Sequence, residues 1–250
     1  MRATMLMALA VGIAPVLAGQ TLENRIGGVK DGTVRFAFAA RDGVCGDGEH
    51  NISFHYGRGN EGEWDGGCTD GPVRVVVVRS GGRTTALRSY VGGRWRHEAS
   101  ADLGQVGAVE AARWLLGVAE RGGPGAEDAI LPATLADSIV IWPALLRIAR
   151  NDRVPEDTRK SAVFWLGQAA GEAATIGLDS LVSDASADRE IRESAVFALS
   201  QRPEREGVPA LIRIAKRDRD PEIRRKAIFW LGQSESPAAL ALFEELLTKP

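Results

Sequence analysis

The sequence predicts a mainly α protein, an α-α superhelical solenoid preceded by a small antiparallel β domain. Three observations lead there. A ten-residue string recurs as RKSAVFWLGQ at 159–168, RESAVFALSQ at 192–201 and RRKAIFWLGQ at 224–233. Apolar residues alternate before about residue 100 and recur at three and four residues after 104, the periods of strand and helix. β-branched runs and glycine-rich turns concentrate in the first part of the chain, the composition of short strands and hairpins.

The first element is a leader. Arg2 supplies one positive charge, an apolar run follows from Ala3 to Ala14, and VLA ends the segment at Ala18. This pattern predicts a secretory signal over 1–18, cleaved after Ala18. The run is shorter than the roughly 20 apolar residues that cross a bilayer. The chain has 250 residues, 44% of them hydrophobic and 26% charged, with a net charge of -2. That balance suits a soluble protein and gives no electrostatic case for nucleic acid or anionic membrane as partner.

Residues 19–100 read as the β domain. In TVRFAFAA (33–40), Val34, Phe36 and Phe38 fall on one face with Arg35 opposite. Asp31-Gly32 suggests a hairpin joining RIGGVK to TVRFAF. NISFHY (51–56) is a further strand, and VRVVVVRS, Gly81-Gly82 and RTTALRSYV form a second hairpin. Cys45 and Cys68 are the two cysteines; export favours a disulfide between them, which contributes roughly 3 kcal/mol by the loop-entropy argument. The alternative is a metal site of Cys45, His50, His55 and Cys68, which lacks the paired CxxC knuckles of a zinc site. Gly57, Gly59 and Gly62 spell GxGxxG, but a loop follows where a dinucleotide site needs a helix. The acidic residues nearby lack calcium-loop spacing.

A linker at about 92–104 leads into the helical half, 105–250. Helices are expected at about 105–120, 126–137, 141–150, 155–169, 174–183, 187–200, 206–217, 220–233 and 237–248. Pro143, Pro209 and Pro237 are placed just before helices, where a missing N–H costs nothing, and Pro132 is expected to bend a helix or begin a new turn. The spacing from Ala162 to Ala195 to Ala227 is the period of a solenoid of helix pairs. The extra residue of the first interval lies in PEDTR (155–159), against PEIR (221–224).

Those units resemble HEAT repeats of the short type found in bilin lyases. The resemblance rests on Asp220-Pro221-Glu222-Ile223-Arg224 leading to Ala227, Leu231 and Gly232, with Asp188, Arg192, Ala195 and Leu199 in a second copy and Arg159, Ala162, Leu166 and Gly167 in a third. It implies a curved stack of helix pairs over roughly 105–248. It also implies a structural ladder of arginines with preceding acids: Asp188 with Arg192, Asp220 with Arg224, and Asp152 or Asp157 with Arg159.

On a helical wheel, Phe164 and Gln168 fall away from the face of Ala162, Val163, Trp165 and Leu166, and Phe197 with Gln201 and Phe229 with Gln233 do the same. Stacked units would align these phenylalanines and glutamines, beside Trp165 and Trp230, on the concave side. The column is either covered within the chain, by the β domain (wholly or in part) or by the first helices, or receives a helix or extended peptide. GxSxG, HExxH and Walker motifs are lacking, and no catalytic residue, metal or cofactor is expected. The reading is a non-enzymatic, exported (periplasmic or secreted) scaffold for an unknown protein or peptide. Its alternatives are a lyase-like or chaperone protein binding bilin, and a purely structural envelope protein.

Overall fold

The computed structural model describes residues 20–54, 68–96 and 98–248. The expected leader, the GxGxxG glycines, His55 and His97 lie outside the described residues. The described residues open with α1 (Leu22–Gly27), whose N-cap Thr21 accepts the Asn24 N–H through its hydroxyl. This corrects the expected RIGGVK strand. Leu22 and Ile26 lie one helical turn apart and are both buried, and the Thr21 cap fixes the start of the turn.

Strands β1 (Gly32–Phe38), β5 (Val73–Ser80), β6 (Arg83–Val91) and β7 (Ala101–Gln105) form a sheet in the order β6-β5-β1-β7. Val34, Phe36 and Phe38 are fully buried on one face, as alternation requires. The turn from β5 to β6 is Gly81-Gly82, with φ of 56° and 75°. A two-residue loop with both centres at positive φ matches the twist of a hairpin, and glycine adopts it without strain. β7 was expected to be linker. It pairs with β1 in parallel, so the sheet is mixed rather than purely antiparallel. A parallel pair needs a long crossover, and local sequence does not announce one.

A second sheet, β3-β2-β4, is built from β2 (Val44–Gly46), β3 (Ile52–Phe54) and β4 (Thr69–Asp70). Cys45 and Cys68 are joined, with Cα atoms 5.4 Å apart. The bond ties β2 to the chain just before β4, two strands that share only two register pairs. Asp47 accepts the backbone N–H groups of Glu49, His50 and Asn51, which commits its carboxylate to the turn and holds its pKa below the ordinary range. So small a sheet buries little of its own surface. Replacing both cysteines by serine is therefore expected to cost about 3 kcal/mol, with loss of amide-exchange protection confined to 44–54 and 68–70. Hydrogen exchange followed by mass spectrometry reads this; uniform deprotection or none would contradict it.

The helices follow as α2 (Ala108–Arg121), α3 (Ile130–Thr134), α4 (Trp142–Arg150), α5 (Glu156–Gln168), α6 (Glu172–Val182), α7 (Arg189–Ser200), α8 (Glu204–Arg217), α9 (Pro221–Gly232) and α10 (Pro237–Thr248). They pair as α2/α3, α4/α5, α6/α7 and α8/α9, and α10 closes the described stack. α3 has only five residues, with Pro132 inside it. Pro143 and Pro237 stand in the first turns of α4 and α10. Pro209 departs from expectation by lying inside α8, because that helix already starts at Glu204. Pro209 and Arg205 are both exposed, so water can satisfy the Arg205 carbonyl that the proline leaves unbonded.

The sheet packs on the first helix pair. The Trp114 ring meets Phe36 edge-on at 5.7 Å, and the Arg41 N–H donates to the Leu135 carbonyl at 2.8 Å. One continuous apolar cluster runs from the sheet through α2 and along the stack. The β half thus covers the first end of the solenoid, where an array of repeats needs a cap.

Candidate interaction surface

The second helices α5, α7 and α9 each bury their alanine and leucine and turn a phenylalanine away from that face; the β-branched residue is buried in α5 and α7 and half-buried, as Ile228, in α9. Ala162, Val163 and Leu166 are fully buried, as are Ala195, Val196 and Leu199 in the next unit. Two hundred degrees round the wheel, Phe164 is 45% exposed and Phe229 is 53% exposed. Phe197, between them, is half-buried because its ring packs on Trp230 at 5.0 Å. Phe229 meets the same tryptophan at 5.0 Å, and Phe164 meets Trp165 at 5.2 Å. Gln168, Gln201 and Gln233 are exposed beside them.

The rows are held in step by close approach of the second helices. A Cβ placed on Gly167 would lie 3.0 Å from the Ala198 Cβ, which explains a small residue at 198 where the other units carry Trp165 and Trp230. At one end the row is touched by the β half. Phe54, on β3, lies 6.0 Å from Trp165, with the Arg41 guanidinium 5.5 Å from the Phe54 ring. No repeat pattern in the helices signals that contact. At the glutamine side a cleft of about 620 Å³ opens between the α5–α6 and α7–α8 turns, bordered by Gln168, Gln201, Arg202, Arg205 and Glu206.

The arginine ladder exists with different partners from those expected. Arg159 reaches Asp188 of the next unit at 2.6 Å. Arg192 takes both carboxylate oxygens of Asp218, at 2.9 and 3.0 Å, and its Nε donates to the Val182 carbonyl. Arg224 donates to the Asp218 carbonyl at 2.8 Å. In place of the expected pairs Asp188 with Arg192 and Asp220 with Arg224, Asp188 and Asp220 pair with arginines of the preceding unit, Arg224 turns to backbone carbonyls of its own unit, and Arg159 bypasses Asp152 and Asp157. Stacking sets the start of one second helix beside the next, within reach of its acids. Asp220 also caps α9: its side chain accepts the Glu222 N–H, which lowers its pKa first, with Arg189 and Arg192 adding to the effect.

Arg202 is a node that the repeat pattern does not contain. It replaces Ala169 and Ser234 of the sister units and is only 9% exposed. Its guanidinium donates to the carbonyls of Gly167 (3.0 Å), Ala169 and Gly171 (2.9 Å), to the Thr175 hydroxyl (2.8 Å) and to Glu206 (2.9 Å). Thr175 in turn donates to Glu206 at 2.7 Å, and that bond, then Arg202, holds the Glu206 pKa below its ordinary value. One side chain thereby satisfies the frayed end of α5, the start of α6 and the first turn of α8. The sequence signal was the break in the repeat at position 202.

Among the described residues no cluster of acids, histidines or cysteines is arranged to hold a metal, and no helix is long and apolar enough to cross a membrane. No curated protein matches the chain. A family model of HEAT repeats matches residues 178–250, from within α6 through α10. Of the helices that carry the outward phenylalanines, α7 and α9 thus lie in the part of the chain that matches HEAT repeats, and α5 precedes it in the same helical stack.

Proposed function

We propose that the protein is an exported, non-enzymatic scaffold that binds a protein or peptide along the row of Phe164, Phe197 and Phe229, with Trp165, Trp230, Gln168, Gln201 and Gln233 beside it. The observation that carries this is the exposure of Phe164 and Phe229 on helices whose alanine and leucine positions are buried. Aligned exposed aromatics form the sort of patch that marks a contact surface, and solenoids use such extended faces for binding. Export is supported by the Cys45–Cys68 disulfide, which suits an oxidising compartment, and by the leader pattern over 1–18. The pairs Arg159–Asp188 and Arg192–Asp218 hold the units together and have no part in binding.

Phe229 and Phe164 are better probes than Phe197, whose contact with Trp230 makes it partly structural. A photocrosslinker placed at Gln201 is expected to trap a partner in the extracytoplasmic fraction. Phe229→Asp together with Phe164→Asp should abolish that adduct while thermal unfolding stays cooperative and shifts little. An undiminished adduct in a folded variant overturns the reading. So does loss of the fold, because it would make the two phenylalanines core.

A further inference from the structure

We infer that the ligand of this row is a proline-rich segment in the polyproline II conformation, lying across the units with one turn opposite each. This rests on the reading that the row is the binding face, and it adds the chemistry of the occupant. Three independent features select it.

Spacing comes first. α5, α7 and α9 pack side by side, with Gly167 and Ala198 in close approach, and packed helices lie about 8–10 Å apart. A polyproline II helix rises about 3.1 Å per residue with three residues per turn, so it repeats every ~9 Å. A β-strand returns to the same face every ~7 Å and falls out of step by the second unit. An α-helix advances ~10 Å in seven residues and stays nearly in step, so spacing alone does not exclude it.

The glutamines separate those two. Gln168, Gln201 and Gln233 each offer an amide to whatever crosses them, and all three are exposed. The Gln201 amide bonds only its neighbour Ser200, at 3.1 Å, an exposed contact that a ligand can replace. An α-helical partner has spent its backbone groups internally. A polyproline II segment carries free carbonyls at every residue and cannot donate from proline nitrogen, which matches a row of amide donors.

Charge is the third feature. Cations border the aromatic row, but each is paired inside the chain: Lys160 with Glu156, Arg225 with Glu222 at 2.7 Å, and Lys226 with Glu193 at 3.0 Å. A charged partner would have to break these pairs, whereas a neutral apolar one leaves them intact. Flat proline rings against Phe229, Trp230 and Phe197 use the same contact that aromatic-lined grooves make with such segments elsewhere, and a preformed helix loses little entropy on binding.

The test titrates the full chain with an oligoproline peptide of about twelve residues, roughly four turns, and reads tryptophan fluorescence and calorimetric heat. The comparison probes are a glycine-serine peptide and an apolar amphipathic helical peptide of equal length. Oligoproline should bind, the glycine-serine peptide should not, and added salt should leave the affinity unchanged. Phe229→Ala and the pair Gln201→Ala with Gln233→Ala should each weaken oligoproline about tenfold, a change of ~1.4 kcal/mol. Oligoproline binding equally well to the variants, or not at all, overturns the inference. If the helical peptide binds instead and Phe229→Ala weakens it, the inference falls while the interaction face stands. If no peptide binds and the Gln201 crosslink survives Phe229→Asp with Phe164→Asp, both fall.

Discussion

Replacing Arg202 by alanine should lower the thermal midpoint by roughly 10 °C, the equivalent of about 3–5 kcal/mol for losing one partner of a buried charged network in a domain of this size. The cost has two sources. The carbonyls of Gly167, Ala169 and Gly171 lose a common donor, that of Gly167 in a buried position, and Glu206 loses its cation. Arg202→Lys should rescue little of this. A single ammonium cannot span acceptors that approach the guanidinium from several directions in its plane. The network also gives a pH signature. The folded-state pKa of Glu206 is depressed below its ordinary 4.5, so its contribution is fully present above that value and fades as pH falls through the lower, folded one. With Arg202 removed, the depression shrinks to what Thr175 supplies, and the acid loss from this site should shrink too. Urea unfolding followed by circular dichroism at neutral and acidic pH reads both effects. A midpoint unchanged by Arg202→Ala would show that water replaces the guanidinium at no cost.

Gly207→Ala should be nearly as damaging for a different reason. A Cβ at this buried position in α8 would lie 2.3 Å from the Leu199 carbonyl oxygen at the end of α7. No rotamer relieves a clash between Cβ and backbone, so the two helices must separate. Overpacking of this severity costs about 3 kcal/mol. Gly232→Ala is the matched control, because its added methyl meets only Phe243 at 3.9 Å. It should be neutral or stabilising by up to ~1 kcal/mol from helix propensity. Chemical denaturation of both variants separates the outcomes, and equal midpoints would refute the close approach of α7 and α8.

What local sequence could show was shown by periodicity. The strings at 159, 192 and 224 located three helices to within a few residues, and alternation at Val34, Phe36 and Phe38 identified the buried face of β1. The missed features are non-local. Asp102 lies in β7 only because β1 accepts a parallel neighbour, and RIGGVK resembles a strand because spacing by four puts Leu22 and Ile26 on one face in a strand as well as in a helix. The arginines and aspartates of the ladder were legible as residues but not as partners, since spacing along one helix says nothing of what lies across the stack. On the outward face, periodicity picked out Phe164, Phe197 and Phe229 alike. Distinguishing half-buried Phe197 from its sisters required knowing that Trp230 reaches back from the following unit.

The direction of that ladder, Arg159 and Arg192 each reaching an acid of the following unit, has a mechanical consequence. Because, among the described residues, Arg159 is neutralised by Asp188 and Arg192 by Asp218 and Asp220, the α4/α5 and α6/α7 units are electrostatically incomplete until the following unit has folded against them. Much of the favourable energy then resides at the seams rather than within the units. An array wired this way resists peeling from one end and gives way all at once, so whatever surface it presents is offered either as a continuous track or not at all.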